Sequence, residues 1–228
     1  MSGVSNRNAS IRGLIKQNPK IASAVIRFNS DFCTNLHPDR QSVLLPQLSS
    51  SSWQQPRLVE RISKIIGMEI GLEDKFYLDI PNPLWAVILL PPERLKRLAL
   101  HLGALVLGIR IRSSLSREHV MAWKNRLGEE AYRFAMNSAS LLPSAQIPLP
   151  AIASDSAYAI GTSIIGAALA QEPEQLKKRV ALKFTENVAA MQLEPERARR
   201  LISLVMQIVE AEWHSLCVKI RVSKDLSQ

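Results

Sequence analysis

The chain has 228 residues, of which 46% are hydrophobic and 21% charged, with 9 glycines and 13 prolines. That length fits one domain or two with a core of their own, and the composition excludes collagen-like and low-complexity chains. The formal net charge is +9, and the two cysteines, Cys33 and Cys217, are too far apart to form a disulfide scaffold or a thiolate-pair zinc site.

The charge is uneven. Residues 1–67 hold nine Lys/Arg against Asp31, Asp39 and Glu60. Residues 1–18 are small, polar and basic, and read as a disordered arm without the apolar run of a secretory signal. Asn18-Pro19 starts a helical pattern, with Ile21, Val25, Phe28 and Phe32 spaced by three or four. His37-Pro38-Asp39 opens a short helix ending near Leu45-Pro46. Residues 47–55, with serines at 49–52, read as a loop or hinge. Pro56 opens a helix whose stripe is Leu58, Val59, Ile62, Ile65 and Ile66, and Gly67 is expected to stop it. Between Pro83 and Pro91, the run Leu84–Leu90 fits a buried strand or a short buried helix.

Pro91-Pro92-Glu93 starts the central helix, about residues 92–112. Leu95, Leu98, Leu102, Leu105, Val106 and Ile109 fall on one face, and Leu100, Leu107 and Ile111 on the other. A helix apolar on both sides is packed all round. Gly103, Ala104 and Gly108 make it thin enough for close neighbours, since a helical Gly otherwise costs about 1 kcal/mol against Ala. Ser116 caps the next helix, with Val120, Trp123 and Leu127 inward and Gly128 at its end. Another follows over 129–142. Pro143, Pro148 and Pro150 make a stiff connection, and Asp155 caps a small-residue helix reaching Ala170. Pro173-Glu174 opens a helix to about Phe184. Pro195-Glu196 opens the last, with Leu201, Ile202, Val205, Ile208, Val209, Trp213, Leu216 and Ile220 on one face. The expected fold is mainly α: a single compact domain over 19–228, with about eight helices around the central apolar one.

Signals of chemistry are sparse. No two of His37, His101, His119 and His214 share the three- or four-residue spacing of a zinc pair. His101 reads as a core histidine with a partner, and Glu210 with His214 as an exposed i,i+4 pair. The segment Gly161–Gly166 departs by one position from a nucleophile elbow and reads as helix packing through small residues. Lys177-Lys178-Arg179 and Arg197, Arg199 and Arg200 have Glu172, Glu174, Glu194 and Glu196 nearby and read as solvated faces. No catalytic, metal or cofactor site is expected.

Leu90-Pro91-Pro92-Glu93-Arg94-Leu95 leads into Leu102-Gly103-Ala104-Leu105-Val106-Leu107-Gly108 and then Ile111-Arg112. The helix around Trp123 and Leu141-Leu142-Pro143 follow. This succession resembles the SctK family, of which YscK and PscK are members, the adaptor of the type III secretion sorting platform. Phe32-Cys33, the helix containing Gly161, and Glu172-Pro173 before Lys178-Arg179 come in the same order as in that family. The similarity spans about residues 26–222 and is strongest over 90–112. The basic first 25 residues lie outside it.

The resemblance implies a helical, cytoplasmic, non-enzymatic protein without cofactors. It implies a link from the cytoplasmic domain of the inner-membrane ring protein SctD to the pod protein SctQ, and through SctQ to SctL and the ATPase SctN. The protein would sit on the cytoplasmic face of the inner membrane through that apparatus, with no span of its own and no nucleic-acid partner. From the residues, Arg110, Arg112 and Arg117 are the candidate partner-binding cluster, at the end of the most family-like helix. Cations there also suit the helix macrodipole, by about 0.3–1 kcal/mol. Two further readings concern the basic end: a nucleic-acid-binding arm, or a membrane-surface segment over 11–28. In that segment Arg12, Lys16, Lys20 and Arg27 alternate with Ile11, Leu14, Ile15, Ile21, Val25 and Ile26, although Pro19 interrupts it.

Overall fold

A computed structural model describes residues 12–44, 53, 55–73, 75–78, 82–114, 116–138, 141, 156–185 and 192–225. Those residues form eleven α-helices and no strand, so the fold is mainly α as the apolar stripes require. The helices are α1 (12–17), α2 (Pro19–Ser30), α3 (Pro38–Leu44), α4 (Pro56–Glu69), α5 (Trp85–Ile88), α6 (Pro92–Ser113), α7 (Arg117–Asn137), α8 (Ala157–Leu169), α9 (Glu174–Ala181), α10 (Pro195–Val209) and α11 (Ala211–Asp225). Internal contacts group them into two compact units. One draws on the described residues of Met1–Pro92, Glu172–Asn187 and Glu212–Gln228, the other on those of Glu93–Gln171 and Val188–Ala211.

In the first unit, helix begins earlier than the apolar spacing predicts. Residues 12–17 are helical and Leu14 is buried; residues 1–11 of the expected arm lie outside the described residues. Asn18 is extended, at φ −155°, and its side-chain oxygen accepts the Ile21 N–H at 3.2 Å. With Pro19 at the first helical position, this is an N-cap written in the sequence. Helix α2 buries Ile21, Ala22, Val25, Phe28 and Asn29. Beyond it, Phe32, Cys33, Leu36, Ile62, Ile66, Leu72 and Leu182 form a core cluster.

Helix α4 runs past Gly67, which a bare glycine-stop rule misplaces as its end. Gly71, at φ +69°, makes the stop, and the Leu72 N–H reaches back to the Gly67 carbonyl at 2.7 Å. Gly67 instead makes room for Phe32, whose Cε2 lies 2.9 Å from where a Cβ would sit. The run 84–90 contains the short helix α5. Its buried N–H groups are satisfied locally: Val87 and Ile88 bond to the Leu84 carbonyl at 2.8 and 2.9 Å. A buried run with no strand beside it must satisfy its own backbone. Most of the hinge expected over 47–55 lies outside the described residues.

Asn29 fastens an irregular segment to α2. Its amide donates to the carbonyls of Val25 at 2.9 Å and Tyr77 at 3.0 Å, and its oxygen accepts the Tyr77 N–H at 2.7 Å. Truncating it strands buried polar groups that each cost about 1–3 kcal/mol. Asn29→Ala is therefore expected to lower stability by about 2–3 kcal/mol in urea titration. An unchanged midpoint would show that the bonds to Tyr77 are dispensable.

In the second unit, α6 buries Leu95, Leu98, Ala99, Leu102, Ala104, Leu105, Leu107 and Ile111. Ile109 departs from the expected face and is 46% exposed. Ala99 and Gly103 of α6 meet Gly161 and Ala157 of α8 in reciprocal backbone contact: a Cβ on either glycine would overlap the facing alanine's carbonyl. Helix α10 packs on α8.

Ser116 caps α7, its hydroxyl accepting the His119 N–H at 3.2 Å. Gly128, at φ +76° and ψ +160°, leaves the helical conformation and divides α7 into two helical stretches that meet at a kink, so one stretch ends there and another follows, as its place in the sequence suggests. Ser156 caps α8 through the Ala159 N–H at 3.3 Å; Asp155 and the proline connection before it lie outside the described residues. The long last helix is two. Helix α10 closes at Val209, and Glu210 takes a non-helical φ of −131° before α11 begins.

Candidate functional site

Arg110 and Arg112 occupy the last turn of α6, and Arg117 is the first residue of α7. Arg110 and Arg117 are exposed; Arg112 is half-buried. The Arg112 guanidinium donates to the Ala135 carbonyl at 3.1 Å, near the end of α7. Gly108 permits this approach, since a Cβ there would lie 3.1 Å from the same oxygen. The cluster therefore divides: Arg112 ties α6 to α7, while Arg110 and Arg117 present charge at the corner between them. Ile109 and Met121 are exposed on these helices, and the Trp123 indole donates to Ser114 at 3.2 Å.

A chain of charges runs through the second unit that the sequence reading misses. Arg94 bonds the buried carboxylate of Glu210 through both Nε, at 3.0 Å, and Nη2. Arg97 lies 3.7 Å from the other Glu210 oxygen and bonds Glu130. The hydrogen bond to Glu130 raises the Arg97 pKa, and the same bond holds the Glu130 carboxyl below its usual range. His101 is buried, with Nδ1 2.8 Å from the Arg97 carbonyl and its ring edge-on to Phe134. Burial pushes its pKa down, against the opposing carbonyl bond. A carbonyl only accepts, so the Nδ1 proton points to Arg97. This is the partnered core histidine that the sequence suggests. Glu210 is not the exposed member of an i,i+4 pair, because its helix ends there and its carboxylate turns to arginine. The carboxylates are matched to guanidinium groups, which suits bracing of helices.

Among the described residues of the first unit, an arginine and a lysine are buried. Arg179, expected on a solvated face, and Lys183 are each 1% exposed. Arg179 donates to the Lys75 carbonyl through Nη2 and lies 5.3 Å from the Phe32 ring and 5.9 Å from the Phe28 ring. Burial lowers its pKa to about 10. Lys183 donates to the carbonyls of Ile88 at 2.6 Å and Leu90 at 2.7 Å, closing the end of α5. Lys178 is exposed, and its ammonium bonds the Ile70 carbonyl at 3.0 Å. Spacing carries the missed signal: Leu176, Val180 and Lys183 recur at helical intervals, and Arg179 adjoins that stripe.

Among the described residues, no three His, Cys, Asp or Glu side chains gather as a metal site requires. Among them, too, no helix is long and apolar enough to cross a membrane. A family model described as "YOP proteins translocation protein K (YscK)" matches residues 30–220. Neither the curated proteins nor the solved structures searched gave a match.

Proposed function

The chain belongs to the YscK family of type III secretion proteins, and we propose that it serves there as a non-enzymatic adaptor. It links the cytoplasmic domain of an SctD-like inner-membrane ring protein to an SctQ-like pod protein, with SctL and the SctN ATPase reached through the pod. The observation that carries this reading is the family match over residues 30–220. The sequence resemblance, strongest at α6, points the same way. In this role the protein works on the cytoplasmic side of the membrane, held to it through the apparatus.

The surface proposed for a partner is the corner between α6 and α7, presented by Arg110 and Arg117. Arg112 supports it from behind through Ala135. Charges at the rim of an interface act mainly on association rate and partner choice, and salt screens them.

Purified full-length protein is expected to form a complex with the cognate ring-protein domain or pod protein. Arg110→Glu with Arg117→Glu, which leaves Arg112 in place, is expected to weaken that complex at least about tenfold at low salt and less at high salt. Equal affinities for the variant and the original would remove this corner from the interface. A protein that binds neither partner but binds duplex DNA tightly would overturn the adaptor reading.

A further inference from the structure

We propose that the outward face of α1 and α2 binds the surface of an anionic bilayer. The first 30 residues hold five cations, Arg7, Arg12, Lys16, Lys20 and Arg27, and no acid. The first carboxylate, Asp31, is engaged by the Thr34 N–H at 3.0 Å and the Ser63 hydroxyl at 3.4 Å. Helix α2 turns Ile21, Val25 and Phe28 into the core. At 100° per residue, Lys20 and Arg27 fall on its opposite side. In α1, Leu14 is buried, and Arg12 and Lys16 fall opposite it. All four cations are exposed.

The core claims Leu14, Ile21 and Val25, so these helices do not lie in the interface on their apolar side, as a free amphipathic segment would. What they offer outward is positive charge flanked by two isoleucines, Ile15 at 45% and Ile26 at 39% exposure. That pairing suits acidic headgroups with a hydrocarbon boundary beneath them. It suits single-stranded nucleic acid less, because binding a single strand uses stacking aromatics. The sole aromatic of the two helices, Phe28, is buried. The inference is independent of the adaptor reading and needs no partner protein.

The test is co-sedimentation of the full-length protein with vesicles of phosphatidylcholine alone and with about one third phosphatidylserine. Binding is expected only to the anionic vesicles and is lost at high salt. Each cation near such a surface contributes about fivefold in partition. Lys16→Glu with Lys20→Glu is therefore expected to reduce partition at least about 25-fold while circular dichroism stays unchanged. Arg12→Gln with Arg27→Gln, at separate positions, should act in the same direction. Absence of binding, equal binding to both vesicle types, or full binding by both variants overturns the proposal. Binding to duplex DNA without binding to the anionic vesicles also overturns it, and assigns the face to nucleic acid.

Discussion

Gly103→Val is expected to yield no soluble, folded protein. Helices α6 and α8 cross where Ala99 faces Gly161 and Gly103 faces Ala157. On each helix the small residues are four apart, one turn, and the two pairs meet in opposite order. Each glycine lies against the backbone carbonyl of the other helix, so an added side chain meets main chain and no rotamer relieves it. The helices must separate, which opens the packing of the buried Leu98, Leu102 and Ile164. Ordinary overpacking costs about 1–3 kcal/mol. Here two rigid backbones collide, and the expected loss exceeds about 5 kcal/mol, a large part of a typical 5–15 kcal/mol stability. Gly161→Val should fail in the same way from the other side. Gly13→Ala is the control: it sits in α1 with nothing within 4 Å of the added carbon, and a gain of up to about 1 kcal/mol is expected. Soluble yield and thermal melts decide the matter. A Gly103→Val protein melting within a few degrees of the original would show that the two helices do not cross in contact.

This crossing is partly legible in the sequence, and the reason is local. A glycine inside an apolar helix forfeits stability unless something packs close, so Gly103 and Gly161 point to tight packing. They do not say that they pack at the same crossing, because that depends on distant chain. Helix starts are legible for a similar reason. Asn18-Pro19 and Ser116 act on backbone groups two or three residues away. Helix ends are less so. Gly67 and Gly128 both look like stops, yet only Gly128 breaks the helical backbone, while Gly67 lies inside α4 and makes room for Phe32. Glu210 breaks the last apolar stripe with no Gly or Pro to announce it. Its carboxylate is drawn to Arg94, 116 positions earlier, a pairing no local pattern encodes. The arginine cluster shows the limit of composition at the candidate interface. Arg110, Arg112 and Arg117 read alike as charges, but the structure gives Arg112 a backbone carbonyl to hold and leaves the other two exposed.

Stability is expected to rise between pH 7 and about pH 10, and Lys183 is the cause. Its ammonium is buried, with two carbonyl oxygens below it and the Phe28 ring 5.0 Å away. Arg179, four residues earlier, lies near the same ring, so two cations share one buried wall. Among the described residues, no carboxylate is in an ion pair with either. Burial pushes the Lys183 pKa down from 10.5 to about 7. Giving up its proton relieves the desolvation and leaves Arg179 as the one charge, while a neutral amine still donates to both carbonyls.

The sign follows from proton counting. Below pH 7 Lys183 is charged in the folded and unfolded chains alike, and the folded state bears the full cost of burial. Between the folded value of about 7 and the unfolded value near 10.5, the unfolded chain binds one more proton. Stability then rises with pH, by about 1.4 kcal/mol per unit, towards a total of about 5 kcal/mol. Lys183→Met removes the titrating group. It also strands the Ile88 and Leu90 carbonyls, which shifts stability by an amount that does not depend on pH. The diagnostic is therefore the slope and not the level. Urea titrations between about pH 7 and 9, short of the value of about 10 at which Arg179 titrates, should show the original chain gaining about 2 kcal/mol more than Lys183→Met. Equal slopes for the two proteins would mean that Lys183 keeps its proton in the folded chain, and that the carbonyls and the Phe28 face hold an ammonium ion against the full desolvation of the core.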